Sequence, residues 1–345
     1  MNFNKAGKLF AAGLMMTGLL SACIGGNEPA PGSDNPQPKQ AAADKQENTK
    51  IETPTRPERA GQPSLTFKFG DREAKAYELK GSEDPVELGL RKFFIASEDA
   101  LYFFRQDPKN KEAQKTDSKL ESVYCIYRQP YKNETLGEAE LIDTVYDTYP
   151  LSTNGKIVYY VAKDKLPASY DGSQKHYGEK LDGLTKNPAC VHGSDEIFFT
   201  DGDIIYKAAL KDGKLEGKEV FINGQENEAL KDGFSLAHAD AGGVFVSVYK
   251  TVGDKEIKYY NEFDKKGNLV RSYEGVSELP RDWAVTANYV IATGSKGIFK
   301  IYDRSNGKLI EEAQADMRPF SLYTVVGNDV LVYDDRAKKL YRIDF

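Results

Sequence analysis

The sequence is short of the residues that build metal centres and disulfide frameworks. Three cysteines and three histidines in 345 residues are too few for a disulfide-dense scaffold or a multi-site zinc protein. Tryptophan occurs once and methionine four times. No apolar run reaches the ~20 residues of a membrane-spanning helix. Acidic side chains (53) outnumber basic ones (47), and no basic cluster reverses the balance, so nucleic acid is not an expected partner. A GxSxG elbow, a P-loop and a dinucleotide fingerprint are all missing. No nucleophile–base–orienter set can be assembled, and no cofactor is expected. No stretch sustains a 3.6-residue apolar period, which argues against a helical bundle.

What is present is β-forming. Tyrosine (21) and phenylalanine (17) lead the aromatics, and both suit pleated, half-buried surfaces. The clearest stretch runs from Glu196 to Ile222. Its apolar runs, Glu196–Phe199, Ile204–Tyr206 and Glu219–Ile222, are separated by Asp201-Gly202-Asp203 and by a break beginning at Lys211-Asp212-Gly213-Lys214. Asp-Gly between β-rich runs marks a hairpin, because glycine takes positive φ without a Cβ clash.

The same unit recurs along the chain: an inner strand, a second apolar strand, a third often carrying tyrosine, and a polar outer strand. The inner strands are expected at Lys92–Ile95, Tyr149–Leu151, Cys190–His192, Phe234–Ala237, Trp283–Thr286 and Leu322–Val326. Lys165–Leu184 is the least regular part, and the charged insertion Asp107–Lys119 reads as a mobile surface loop. Second strands recur every ~40–55 residues, the spacing of propeller blades. The sequence therefore predicts an all-β fold, a β-propeller of six blades over residues 64–345. Five or seven blades fit the spacing less well. A large β-sandwich or barrel explains the strands but not the recurring unit. The sixth unit ends after three strands, while a strand pair stands apart at Ser64–Leu79. An N-terminal strand is expected to complete the last blade, which closes the ring and removes an exposed edge.

The first 63 residues are different. Met1–Lys8 is basic, Leu9–Leu20 is apolar, and Leu20-Ser21-Ala22-Cys23 follows. This resembles the signal of bacterial lipoproteins, whose lipobox is Leu, two small residues and Cys. The resemblance implies a signal peptide over 1–22, cleavage before Cys23 and acylation of Cys23, with palmitate-type chains anchoring the protein to a membrane. Ile24 rather than Asp follows the cysteine, which by the same resemblance favours the outer membrane. Residues 23–63, punctuated by prolines from Pro29 to Pro63, read as a disordered tether, with a reach of about 35 Å. Gly297-Ile298-Phe299-Lys300-Ile301-Tyr302-Asp303, with Asn306-Gly307-Lys308-Leu309, is similar to blades of the quinoprotein-like propeller superfamily. Outer-membrane assembly lipoproteins carry such blades. The docking tryptophan of that superfamily is missing, since Trp283 lies in an inner strand.

His192 and His238 fall near the ends of neighbouring inner strands, with Asp240 close by. Together with Trp283 they form the candidate ligand or metal site at the channel mouth. Against this stands the plainer reading of polar residues filling a crowded channel; the spacing matches no HxxxH-type ligand pair. Cys125 and Cys190 are separated by a whole blade in this register, which predicts free thiols. Asp201/Asp203 and Asp334/Asp335 read as turn carboxylates. The favoured function is a non-enzymatic, lipid-anchored scaffold that binds another envelope protein. The alternative is an envelope enzyme, or a binder of a glycan or small molecule, working at the channel mouth. A surface adhesin or nutrient receptor is a third possibility.

Overall fold

In the computed structural model, alternation of buried and exposed side chains builds six antiparallel sheets. Residues 62–81, 94–117, 119–120, 122–145, 151–162, 166–178, 186–211, 214–252, 255–276, 280–324 and 328–345 are described. The expected signal segment 1–22, Cys23 and most of the tether lie outside them. The sheets are the six blades of a β-propeller.

Blade 1 comprises Phe94–Ala96, Ala100–Gln106, Tyr124–Lys132 and Glu140–Val145, with a small Thr135–Leu136 strand. Blade 2 comprises Ser152–Thr153, Val158–Val161, Pro167–Tyr170 and Lys175–Tyr177. Blade 3 is Lys186–Cys190, Glu196–Asp201, Ile204–Lys211 and Lys214–Asn223; blade 4 is Ser235–Asp240, Gly243–Val252, Lys255–Asp264 and Leu269–Glu274. Blade 5 runs Pro280–Val285, Tyr289–Gly294, Ile298–Asp303 and Leu309–Gln314. Blade 6 takes Pro319–Thr324, Asp329–Asp334 and Lys339–Asp344 from the end of the chain.

The expected closure is present. Arg72–Leu79 pairs antiparallel with Lys339–Asp344, from Lys75 opposite Asp344 to Leu79 opposite Leu340. Leu65–Phe69 then adds a fifth, outermost strand to the same sheet. The chain next crosses to blade 1, where the Lys80 N–H donates to the Glu134 carbonyl at 2.8 Å and the Leu136 N–H to the Lys80 carbonyl at 2.7 Å. One N-terminal segment thus hydrogen-bonds to both sides of the ring junction.

The apolar core is divided. Each pair of neighbouring blades encloses its own buried cluster, so six clusters follow one another around the ring. Blades 5 and 6 share the cluster that includes Phe67, Phe69, Ile291 and Phe299. Blades 4 and 5 enclose Phe245, Tyr260, Tyr273 and Trp283. Turn glycines let successive blades close up. Gly267 and Gly307 both hold positive φ in the turn before an outer strand. A Cβ there would lie 3.1 Å from Ile222 Cγ1 and 3.0 Å from Arg271 Cδ, each in the preceding blade.

Two expectations are corrected. Within the insertion, Pro108–Thr116 forms an α-helix. Asp107 caps it, accepting the Asn110 N–H at 2.8 Å, and Pro108 occupies the first turn. Several inner strands are displaced from their expected bounds: Lys186–Cys190, Pro280–Val285 and Pro319–Thr324 begin and end earlier than Cys190–His192, Trp283–Thr286 and Leu322–Val326, whereas Ser235–Asp240 begins and ends later than Phe234–Ala237. The cause is a repeated irregularity. Pairing of the inner with the second strand slips between Lys186 and Ala189, Leu236 and His238, Pro280 and Trp283, and Pro319 and Ser321. A bulge puts two residues opposite one, so the alternation that marks a strand breaks there. Cys125 and Cys190 are both free and buried, as expected.

Candidate functional site

Strand direction sorts the connections onto two faces of the ring. The turns from first to second strand and from third to fourth lie on one face. The turns from second to third strand, and the links between blades, lie on the other.

The first face holds the residues singled out in the sequence. His192 sits in the turn after the inner strand of blade 3 and is exposed. Its imidazole packs so closely on Gly155 of blade 2 that a Cβ there would lie 2.5 Å from Cε1. Its Nε2 is 3.9 Å from Glu98 of blade 1. His238 lies in the inner strand of blade 4, edge-on to Phe245 at 5.8 Å, with Nε2 3.9 Å from Asp240 Oδ2. The two histidines thus have different neighbours among the described residues. Among the described residues, no group of three or more His, Cys, Asp and Glu is placed to hold a metal ion. The third histidine, His176, pairs with Asp171 at 3.2 Å on blade 2.

Asp240 belongs instead to a buried ionic network that sequence reasoning missed. Arg304, in the outer turn of blade 5, reaches back into blade 4. Its Nη1 and Nη2 donate to Asp240 at 2.5 and 3.1 Å, and its Nε to Glu262 at 3.2 Å. Its guanidinium lies 4.8 Å over the Phe245 ring. Glu262 also accepts from the Tyr273 hydroxyl at 2.6 Å and from Arg271 at 3.4 Å. Burial alone would raise the Asp240 carboxyl, but the Arg304 guanidinium prevails and holds it below the usual carboxylate range. Burial, helped by Arg304 and opposed by Asp240, lowers the His238 imidazole to about 4. His238 is therefore a neutral ring at physiological pH. The network joins blades 4 and 5.

Trp283 packs against the same Phe245 ring that Arg304 covers. Its ring stacks on Tyr260 at 4.2 Å and tilts against Phe245 at 6.0 Å. It is a buried packing residue of the seam between blades 4 and 5.

The second face bears two features that stand out from the repeat. The helix Pro108–Thr116 lies between the second and third strands of blade 1. On blade 4, Gly243–Val252 and Lys255–Asp264 pair along their full lengths, from Gly243 opposite Asp264 to Val252 opposite Lys255. These strands have 10 residues each, against 6 for Tyr289–Gly294 and Ile298–Asp303 in blade 5. The extra length carries the hairpin about 13 Å further. Tyr249 and Val252 on it are 48% and 52% exposed.

At the base of this hairpin stand Lys258, Tyr260 and Asp282. The Lys258 ammonium lies 5.8 Å from the Tyr249 ring centroid and 5.4 Å from that of Tyr260. Burial lowers its pKa, and the Asp282 charge partly restores it. Asp282, on the inner strand of blade 5, accepts the N–H of Trp283 and that of Leu322 in blade 6, each at 2.9 Å. Burial raises its carboxyl against those bonds. The Tyr260 hydroxyl is buried with no hydrogen-bond partner among the described residues.

The paired carboxylates serve turns. Asp334 Oδ1 accepts from the N–H groups of Arg318, Arg336 and Ala337 at 3.0, 2.9 and 3.3 Å. Asp203 accepts the Gln225 side chain at 3.1 Å.

No protein-family model matches the sequence, and no curated protein matches it. Among solved structures the chain is similar to the computationally designed Ika8 protein. Identity is 13%, 65% of this chain and 68% of that one are covered, and the TM-score is 0.37. It is also similar to BamB from Moraxella catarrhalis, with 11% identity, 65% and 81% coverage and a TM-score of 0.36.

Proposed function

We propose that this protein is a lipid-anchored, non-enzymatic scaffold of the bacterial envelope. In this reading the propeller docks another envelope protein on the face that carries the blade 4 hairpin. The observation that carries it is the hairpin itself. A rigid two-stranded arm lifts Tyr249 and Val252 into solvent, at the end of strands longer than those of blade 5. Tyr249 and Val252 project from the two sides of this arm, and an exposed tyrosine is a frequent energetic anchor in contact surfaces. Leu20-Ser21-Ala22-Cys23 supports the anchor, and the proline-punctuated stretch after it supports a tether that lets the ring reach its partner.

The test is site-specific photo-crosslinking in cells. A benzophenone side chain replaces Val252 or, as a control on the outer edge of blade 5, Leu309, which is also exposed. The expected result is one stoichiometric envelope protein captured at Val252 and not at Leu309. Capture at neither position, or equally at both, refutes docking through the hairpin. Cys23→Ala in the same cells should release the protein from the membrane fraction and abolish fatty-acid labelling.

A further inference from the structure

The long hairpin of blade 4 outruns the rest of its own sheet. The inner strand reaches only as far as Ser235, opposite Ser247, and the outer strand as far as Glu274, opposite Tyr259. Val248–Val252 and Lys255–Lys258 continue beyond both. Asp240 and Gly243 close a tight turn, so the Gly243 N–H and C=O face the inner strand. Every second residue of a strand repeats that direction, which sends the backbone groups of Phe245, Ser247, Tyr249 and Thr251 the same way. Tyr249 and Thr251 lie past the end of the inner strand. The other strand of the hairpin agrees: Lys258 stands opposite Tyr249, and its carbonyl also turns away from the pair, accepting the Gly275 N–H at 2.7 Å. Among the described residues, no backbone group bonds to the N–H or C=O of Tyr249 or Thr251.

Outer edges elsewhere in the ring are blunted. The outer strands of blades 1, 3, 4 and 5 pair with a register shift, and that of blade 2 has 3 residues; bulges and shortness both protect an edge from pairing. The hairpin pairs without a shift from Gly243 to Val252, and Val248, Tyr249, Thr251 and Val252 are strong strand formers. Lys250 is the only charged side chain on Gly243–Val252. It is exposed and lies on the same side as Val252, with its ammonium 5.3 Å from the Tyr259 ring centroid. A lysine on an edge deters indiscriminate pairing and favours an added strand that sets a carboxylate beside it.

We propose that the docked partner contributes an extended segment that pairs, as an added β-strand, with the edge formed by Tyr249 and Thr251, and places an aspartate or glutamate beside Lys250. The inference rests on the reading that a partner docks on this face, and it names how the partner docks. Main-chain bonds supply the contact, and alternate side chains select the segment.

Two experiments test it. Amide hydrogen exchange on the purified protein, read residue by residue by NMR, should find Tyr249 and Thr251 fast and Val248 and Lys250 slow, since the latter amides bond to Lys255–Asp264. Slow exchange at Tyr249 and Thr251 would mean that the edge is already paired, and it overturns the proposal, as do equal rates in the two sets. In cells, the Val252 crosslink is repeated in Thr251→Pro, which removes an edge N–H and no ladder bond, and in Thr251→Val, which keeps that N–H. Capture should fall by about ten-fold or more in Thr251→Pro and persist in Thr251→Val. Lys250→Glu should reduce capture by about three-fold or more, and Lys250→Arg should retain it. Thermal melts show which variants fold; should Thr251→Pro not fold, the two Lys250 variants decide. Wild-type capture in a folded Thr251→Pro, or unchanged capture in Lys250→Glu, overturns strand addition and leaves the scaffold reading standing. If Val252 captures nothing in the wild type, the scaffold reading fails first and strand addition with it. A dimer of the purified protein that Thr251→Pro dissolves assigns the edge to a second copy and overturns the partner.

Discussion

Replacing Arg304 by methionine tests whether the buried ionic network holds blades 4 and 5 together. Methionine keeps most of the stem that passes over Phe245 and removes the charge. Arg304 is 8% exposed, and its guanidinium makes three bonds to the carboxylates of Asp240 and Glu262. Removing one member of a buried ion pair costs about 3–5 kcal/mol, because the remaining charges lose compensation. Here the loss is softened. Asp240 keeps the Gly242 N–H at 2.7 Å, and Glu262 keeps the Tyr273 hydroxyl and Arg271. We therefore expect about 3 kcal/mol, a fall in melting temperature of about 5 °C for a domain of this size. The assay is a thermal melt at pH 7 of wild type, Arg304→Met, Asp240→Asn and the double variant. Because the two residues touch, the double variant should lose less than the sum of the single losses, by about 1.5–3 kcal/mol. A single variant melting within about a degree of wild type, or strict additivity in the cycle, refutes the claim that this network is a structural clamp.

Three further outcomes follow from the packing. The folded His238 has its pKa lowered from 6.5 to about 4, so between those values the unfolded chain binds the extra proton. Its contribution to stability is complete above about pH 6.5 and is lost as pH falls towards 4. Solvent reaches 28% of the side chain, which trims this contribution to about 2 kcal/mol. His238→Gln should flatten urea stability between pH 4.5 and 6.5, and an unchanged slope would show that the ring is not the titrating group. Burial pushes the Cys190 thiol up to about 12 and raises that of Cys125. Neither should react with iodoacetamide in the folded protein, and both should be alkylated after denaturation without reductant; a linked pair by mass spectrometry contradicts the blade order. Ala76 is fully buried in the strand that closes blade 6, so Ala76→Glu should cost about 4 kcal/mol or more and expose the 64–79 segment to protease. A variant as protease-resistant as wild type would mean that the ring does not depend on this strand.

The repeat was legible because the second and third strands are apolar at regular intervals and tight turns separate them. Ile197–Phe199 and Val244–Val246 are wholly buried, and a run of that kind survives in composition alone. Closure was legible too: a last unit of three strands needs a fourth, and the strand pair at 64–79 was the available donor. The inner strands were misplaced for a physical reason. Polar side chains such as Ser152 and Asp282 interrupt them, and in four of the six a bulge breaks the period of two. The helix Pro108–Thr116 escaped because none of its residues is buried. It has no apolar stripe to detect, and only Asp107-Pro108, a cap followed by a first-turn proline, announced it.

The candidate sites divide along the same line. His192, His238 and Trp283 drew notice because they are rare in this sequence. Rarity carries no information about neighbours: the fold sets His192 on Gly155 of blade 2, while His238 and Trp283 meet only through the Phe245 ring that both touch. Arg304 and Lys258 are two of 47 basic residues and carry no local mark. Arg304 matters because the outer turn of one blade lies over the inner strand of the blade before it, 64 residues earlier at Asp240. Lys258 stands at the base of the blade 4 hairpin, and Asp282 acts on it from blade 5. Both properties arise from contacts between blades. A repeat read one unit at a time describes each blade and leaves the seams blank, and the seam between blades 4 and 5 is where this chain buries Arg304 against Asp240 and Glu262.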